Sequence, residues 1–105
     1  MSEIMNLKEL VAYQKGTIVS KTIVEKETGT ITLFAFDREQ SLSEHTAPFD
    51  ALVQVIDGQA EIRIAGEPHH VKEGELLLMP ANQSHALKAI SPFKMLLTMI
   101  RSQSK

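Results

Sequence analysis

Two histidines, His45 and His85, are the residues of this chain whose type and surroundings best suit chemistry. Each lies near a short apolar segment bounded by glycine, a pattern that favours strands joined by tight turns. A neutral imidazole binds divalent transition metals, and it also acts as an acid or a base near neutral pH. The sequence contains no cysteine, so disulfides, thiolate chemistry and cysteine-bound zinc are excluded. A functional site would therefore depend on the imidazoles.

Glycine and proline residues around these histidines form two recognisable frames. An apolar run after His45 ends at Gly58, and a second frame begins at Gly74, reaches Pro80 after a run of leucines and ends at His85. These segments resemble the two sequence motifs of the cupin superfamily, and the chain is similar to its small single-domain bacterial members. The resemblance extends from about residue 17 to about residue 100. It implies a double-stranded β-helix, or jelly-roll barrel, with a site in its interior.

Two ligand positions of the cupin motif are occupied by alanine. Ala47 takes the place of a second histidine, and Ala51 takes that of a glutamate. The complete motif binds Fe, Mn, Ni, Cu or Zn through three histidines and one carboxylate, whereas only His45 and His85 remain here. A bound metal would be Ni, Zn or Cu rather than Fe or Mn, following the Irving–Williams order. The alternative is that no metal is bound and that the rings hydrogen-bond each other, a water or an organic ligand.

Other polar residues are poor replacements for the missing ligands. Asp50 and Gln54 are out of phase with Ala51 in an alternating strand, so their side chains point to the opposite face unless a bulge intervenes. His69 and His70 are interpreted as edge-strand histidines beside a turn. The two histidines of the motif therefore remain the expected ligands.

The elements that position these histidines are predicted to be strands. Glycines recur at hairpin spacing between short runs of Val, Ile, Leu and Phe, which predicts an all-β antiparallel domain of roughly six to ten strands. A helical turn is predicted between Asn6 and Tyr13, with Asn6 as its N-cap and Glu9 as the capping partner. The predicted strands are residues 17–25, 30–36, 51–56, 60–65, 75–79, 85–89 and 93–101, with weaker signals at 42–45 and 69–72.

Two of these strands, the second and the last of the main set, are apolar on both faces. In a two-layered barrel one face of each strand meets the core, and the other face needs a second cover, most simply another subunit. We therefore expect a homodimer. The residues expected at its contact are Ile31, Leu33, Leu96 and Ile100.

Length and charge restrict the class of protein. The 105 residues suit a single domain, 1–105, with a core at about 17–100, a short N-terminal extension and a frayed C-terminal tail. The sequence has thirteen acidic and eleven basic residues and no basic run, which argues against a nucleic-acid partner. No apolar run approaches the roughly 18 residues of a membrane span, and the N-terminus lacks a signal-peptide pattern. We expect a cytoplasmic protein without a membrane partner.

These observations lead us to expect a small cupin barrel that binds a small molecule in an interior pocket, with His45 and His85 as its polar groups. One alternative is a metal-dependent enzyme of the dioxygenase or isomerase type, in which the same two histidines bind the metal. Another is a non-catalytic sensing or scaffolding barrel. Aliphatic, aromatic and thioether walls would suit a partly apolar ligand. The residues expected to line the pocket are Thr32, Phe34, Phe36, Ala47, Ala51, Met95 and Leu97, with Met99 beside them.

Overall fold

Strands and tight turns make up almost all of the structure, a computed structural model that describes residues 3–102. The helix found in this range is a single 3-10 turn, Leu7–Glu9, so no helix there is long and apolar enough to cross a membrane. The strands in the described range are β1 (Ile18–Lys26), β2 (Gly29–Phe36), β3 (Ser41–His45), β4 (Phe49–Asp57), β5 (Gln59–Ile64), β6 (Glu67–Lys72), β7 (Leu76–Met79), β8 (His85–Ala89) and β9 (Phe93–Arg101).

The all-β prediction is confirmed, including the two weaker strand signals, which correspond to β3 and β6. The predicted helical turn is shorter than expected and is capped differently. The side chain of Asn6 accepts a hydrogen bond from the N–H of Lys8 at 3.1 Å, while the N–H of Glu9 donates to the Asn6 carbonyl at 3.1 Å. The turn therefore uses its own backbone where the sequence suggested a capping box.

Two antiparallel sheets form the barrel. The five-stranded sheet has the order β1-β2-β9-β4-β7, and the four-stranded sheet has the order β3-β8-β5-β6. Strands that are distant in sequence are therefore neighbours in each sheet, as in a jelly roll. Their inner faces share one core in which the rings of Phe36 and Phe93 stack with centroids 4.6 Å apart. Burying a large apolar side chain of this kind contributes roughly 1.5–3 kcal/mol to stability.

The barrel interior is completely buried at one end and less completely buried at the other. Along the inner face of β9, Phe93 and Met95 are 0% and 1% exposed, whereas Leu97 and Met99 are only partly buried. The inner face of β5 likewise ends in the partly buried Ile64. These three partly buried residues mark what we call the open end of the barrel.

The filled end is closed by the β4–β5 hairpin at Gly58. This glycine has a φ of 77°, which side chains rarely adopt, and a Cβ at this position would lie 2.0 Å from the Pro92 carbonyl oxygen. The close approach holds the hairpin against the start of β9. Glycine is therefore required here for both conformation and space.

The N-terminal segment covers part of the outer face of the five-stranded sheet. Leu33 is completely buried, and it packs in a small outer cluster with Val11, Leu10 and Tyr13. The prediction that Leu33 contacts another subunit is therefore wrong, because its own chain supplies the cover. Leu96, a second predicted contact residue, packs against the same cluster.

Polar contacts fasten this cover to the barrel. The hydroxyl of Tyr13 donates to Asp57 Oδ2 at 2.6 Å, and the Lys94 ammonium lies 5.0 Å from the centre of the Tyr13 ring. Lys94 also donates to the Lys8 carbonyl, and the Lys8 ammonium forms an ion pair with Glu73 at 3.4 Å. The short N-terminal extension predicted from the sequence is thus a packed part of the fold.

Candidate functional site

The pairing of β3 with β8 brings His45 and His85 together. The register of this pair shifts between Leu42 and His45, so that His45 lies directly opposite His85. Such a bulge turns the end of β3 relative to its start. The two rings meet edge to face, with centroids 4.3 Å apart and planes inclined by 70°. Two residues that are far apart in sequence therefore form one imidazole pair.

Both imidazoles are held through the same nitrogen. His45 Nδ1 lies 2.7 Å from the Ser43 carbonyl oxygen, and His85 Nδ1 lies 3.3 Å from that of Gln83. A carbonyl oxygen only accepts hydrogen bonds, so in each neutral ring Nδ1 carries the proton and Nε2 is left as an acceptor. Neither Nε2 has a hydrogen-bond partner within residues 3–102. The pair thus offers two free acceptor nitrogens.

The environment keeps His85 neutral. His85 is 8% exposed, whereas His45 is exposed. Burial lowers the pKa of His85, and the neighbouring His45 lowers this pKa further, against a smaller opposing effect of the Gln83 carbonyl. Because an unprotonated imidazole keeps its Nε2 lone pair, the ring stays available to accept a hydrogen bond or bind a metal at neutral pH.

The loop before His85 is fixed to the β3–β4 connection. The N–H of Asn82 donates to the Ala47 carbonyl at 2.9 Å, and the N–H of Ala81 donates to Asp50 Oδ1 at 2.9 Å. Asp50 lies opposite the exposed Ile100, on the outer face of the five-stranded sheet. Its carboxylate therefore positions the loop and does not replace the missing glutamate.

The histidine pair lies at the open end. His85 is paired with Ile64, one of the residues that mark this end, and the N–H of Ala65 donates to the Ser84 carbonyl at 2.8 Å. The β5–β6 hairpin therefore reaches the same rim as the two imidazoles. A ligand entering the barrel at this end would meet both rings.

The predicted pocket residues are divided between the core and the open end. Phe36 and Met95, at 0% and 1% exposed, pack in the filled part of the core, away from the open end. Ala51 is 3% exposed and also faces the core. Phe34 and Leu97 are partly buried on the same interior face.

Two further predicted pocket residues have different surroundings. Thr32 pairs with Leu97 and is partly exposed, so it belongs to the row nearer the open end. Ala47 lies in the loop between β3 and β4, outside any strand, and it is partly exposed. Its carbonyl helps to hold the loop that precedes His85.

One interior-facing acid escaped the sequence analysis. Glu67 pairs with Ile64 across the β5–β6 hairpin, and paired residues of antiparallel strands point to the same face of a sheet. Ala65 and Gly66 have φ values of 51° and 83°, as in a two-residue type I′ turn, which makes Ile64 and Glu67 the pair that closes the hairpin. The Ala65-Gly66 turn, between two segments in which apolar and polar residues alternate, was the sequence signal that could have predicted the position of Glu67.

The two adjacent histidines of β6 face opposite sides. His69 pairs with the buried Ile62 and therefore lies on the interior face, while Nε2 of His70 contacts Gln59 Oε1 at 2.6 Å. β6 is an edge strand, as expected, but both residues lie within it and not beside a turn. A cleft of about 570 Å³ opens between the edges of β6 and β7 and includes His69 and Leu77 in its lining.

The residues present do not make a complete metal site. Within residues 3–102, no group of three or more His, Cys, Asp or Glu side chains could hold a metal ion. Structural zinc sites use four protein ligands and catalytic ones use three. The imidazole pair could supply two nitrogens, and the remaining positions would fall to water or to an exogenous molecule.

Comparisons with known proteins agree with this architecture. The family model described as AraC-like ligand binding domain matches residues 28–101. A conserved protein of unknown function from Streptococcus pyogenes is 34% identical, with a TM-score of 0.93 over 99% of this chain and 91% of that one. A cupin 2 conserved barrel domain protein from Leptotrichia buccalis is 44% identical, with a TM-score of 0.90 over 92% of this chain and 47% of that one.

A relative of similar size extends the comparison to curated sequences. An uncharacterized protein from Aquifex aeolicus is 27% identical over 97 residues, which cover 90% of this chain and 80% of the relative. These relatives are known by a fold or a binding family and not by a reaction. The chemistry of the site must therefore be argued from the residues of this chain.

Proposed function

Because the chain belongs to the family of AraC-like ligand binding domains, a cupin-type barrel, we propose that it binds a small molecule at the open end, with His45 and His85 as polar contacts. The observation that carries this proposal is the imidazole pair with both Nδ1 atoms held by backbone carbonyls. This arrangement fixes two acceptors side by side before any ligand arrives. Such preorganisation lowers the entropic cost of binding.

The surroundings of the pair suit a ligand with an apolar body. Leu97, Met99 and Ile64 are partly buried at the open end, so their apolar surface is only partly used by the core. Small-molecule sites commonly combine such apolar walls with a few polar groups that fix orientation. Binding without catalysis satisfies these features, and it also includes the sensing role among the sequence-based alternatives.

A metal-dependent enzyme is the second candidate, and the same hydrogen bonds favour it. Metal-binding histidines usually donate their other ring N–H to a carbonyl or a carboxylate, as both Nδ1 atoms do here. His45 and His85 would hold the ion, which would supply Lewis-acid chemistry when bound. Two imidazoles bind a metal less tightly than the three-histidine, one-carboxylate set of the complete cupin motif. We therefore rank this candidate below simple ligand binding.

We further propose that the protein forms a homodimer through the uncovered part of the five-stranded sheet. One row of paired residues crosses the outer face of this sheet from strand to strand, and the exposed Leu76 and Ile100 lie beside it, at 58% and 59% exposure. Covering this apolar surface would add burial to a small domain. The residues of the row are Leu78, Leu52, Thr98, Ile31 and Val24.

The binding proposal is tested by titration of the protein with diaminobutane, butanediol and succinate, three probes of equal length and different polarity. The signals of the imidazole carbon-bound protons report on His45 and His85 in nuclear magnetic resonance spectra. We expect at least one probe to shift both signals in a saturable manner. The proposal fails if none of the probes perturbs either ring.

Variants identify the site of any binding. His45→Ala, which removes an exposed side chain, should weaken binding, and His85→Gln should weaken it while keeping most of the buried volume. The matched control is His70→Ala, because His70 is exposed and faces away from the interior. Equal weakening by the control and by His45→Ala would place the binding elsewhere.

A further inference from the structure

From the polar groups at the open end we infer that the ligand is a small organic cation. Its ammonium group contacts Glu67, and a second hydrogen-bond donor contacts the imidazole pair. This inference rests on the proposed function, because it specifies the ligand class for the same open end. It depends on the juxtaposition of Glu67 with His45 and His85 across the four-stranded sheet.

Glu67 shares one row of the four-stranded sheet with both histidines. His45 pairs with His85, His85 pairs with Ile64, and Ile64 pairs with Glu67. Since Ile64 packs against the barrel core, the other members of this row lie on the interior face. The usual strand spacing of about 4.8 Å places β6 about 10 Å from β8. Glu67 and the imidazole pair therefore stand on the two sides of Ile64.

All three polar groups accept hydrogen bonds. Each imidazole presents Nε2 as an acceptor because its Nδ1 faces a carbonyl, and the carboxylate of Glu67 is an acceptor with a negative charge. A dicarboxylate would place acceptors against acceptors. A diol would satisfy the hydrogen bonds but leave the charge unpaired. An amine with a second donor satisfies both, and the apolar Ile64 between the two groups suits its carbon chain.

The charge of Glu67 is not used by the protein. Glu67 takes part in no ion pair within residues 3–102. Arg63, a cation on the same hairpin, lies on the opposite face, where it pairs with Glu61 at 2.9 Å. Arg101, at the same end of the other sheet, donates to the Glu27 carbonyl and has its guanidinium carbon 4.8 Å from the Phe49 ring.

The separation of these groups favours an elongated ligand over a metal ion. Metal–ligand bonds of about 2.0–2.6 Å require all ligands to converge on one point. Glu67 does not converge with the histidines, since no group of three such residues within residues 3–102 could hold a metal. A carbon chain bridges the gap, whereas an ion does not.

The test compares the affinities of diaminobutane, butanediol and succinate for the wild-type protein and for Glu67→Gln. The substitution removes the charge, keeps the shape and affects an exposed side chain. The matched control is Glu61→Gln, which makes the same change of net charge on the opposite face of the same hairpin. We expect diaminobutane to bind best, and we expect Glu67→Gln to weaken it about tenfold or more while Glu61→Gln has little effect.

Three results would overturn the inference, and they differ in what they imply for the proposed function. Butanediol or succinate binding as well as diaminobutane, with Glu67→Gln without effect, would reject the cation but retain a ligand site at the histidines. Equal weakening by the two glutamine variants would show that only the overall charge attracts the amine. Failure of every probe to perturb His45 and His85 would reject the ligand site itself.

Discussion

Replacing Tyr13 by Phe tests whether the N-terminal segment is a structural cover. The hydroxyl of Tyr13 donates a short, 2.6 Å hydrogen bond to the carboxylate of Asp57, and the ring packs against the outer cluster that contains Leu33. Phenylalanine keeps the ring and removes only the hydroxyl. The substitution thus isolates the hydrogen bond that fastens the segment to the barrel.

The expected loss follows from the type and exposure of this bond. Hydrogen bonds to charged groups contribute about 1.5–3 kcal/mol, and this one is only partly buried, so solvent screening reduces the estimate to about 1–2 kcal/mol. For a domain of this size, each kcal/mol lowers the melting temperature by about 4–8 °C. Urea unfolding followed by circular dichroism measures the free energy directly. Asp57→Asn, which keeps an acceptor without the charge, should cause a smaller loss.

Alkaline pH gives an independent check on the same bond. Burial, followed by the hydrogen bond to Asp57, raises the pKa of Tyr13 above its ordinary value of 10.0. The folded protein therefore retains the phenol proton at a pH where the unfolded chain has lost it. This stabilisation is fully present below about pH 10 and is lost as the pH rises towards the folded pKa. The stability difference between wild type and Tyr13→Phe should shrink above about pH 10. An unchanged free energy of unfolding at neutral pH would refute the reasoning.

The remaining predictions concern the metal, the dimer and acid stability. Ala47→His combined with Ala51→Glu should raise the affinity for Ni(II) or Zn(II) in calorimetric titrations by orders of magnitude, because the cupin motif has a metal ligand at each of these positions. Sedimentation should show a dimer at micromolar concentration, and Leu78→Glu should convert it to a monomer, because Leu78 is 58% exposed on the outer face of the five-stranded sheet. Asp37→Asn should make the free energy of unfolding less dependent on pH in the acidic range. Hydrogen bonds from the backbone N–H groups of Gly16 and Arg38 lower the pKa of Asp37, so its stabilisation is present above the unfolded pKa and lost as the pH falls through the folded one.

Controls make these outcomes decisive. Equal metal affinity in the double variant and the wild type would show that the two alanines do not face the imidazole pair. Ile90→Glu is the matched control for the dimer, because Ile90 is 41% exposed and lies outside the strands. A dimer that survives Leu78→Glu would place the contact on another face. If Asp37→Asn leaves the pH midpoint of acid unfolding unchanged, the hydrogen bonds to Asp37 do not stabilise the folded state.

Local sequence patterns predicted most of the strands because each strand carries its own signal. Alternation of apolar and polar residues in β5 and the glycines at the hairpin turns are visible without knowledge of the partner strand. The position of the outer cover was not predictable in this way. Leu7, Leu10 and Val11 have helical spacing, but only the tertiary structure shows that Leu10 and Val11 pack over Leu33. Expecting a subunit contact at Leu33 followed from treating the segment as an extension.

The residues of the site at positions of the cupin motif could be predicted from the sequence. Their arrangement in space could not. The sequence identified His45 and His85, but their direct pairing depends on a register shift in β3 that no local pattern reveals. Glu67 was missed because a replacement for the missing acid was sought beside Ala51, at Asp50, and not in the β5–β6 hairpin. Strand alternation predicted that Phe36 and Met95 face the interior, but alternation does not show which end of the barrel is completely buried, and both residues lie at that end.

The two candidate functions require the same two atoms, and this provides a final prediction. Each neutral imidazole has one lone pair, on Nε2, so a nitrogen that binds a metal cannot also accept a hydrogen bond from an amine. Zn(II) and diaminobutane should therefore exclude each other, and linkage requires each to weaken the other by the same factor. At neutral pH the amine is protonated, so it does not compete by binding the ion itself. Titration of diaminobutane at increasing Zn(II) concentration measures this coupling. Independent binding of the two would mean that the metal or the amine does not use the His45–His85 pair.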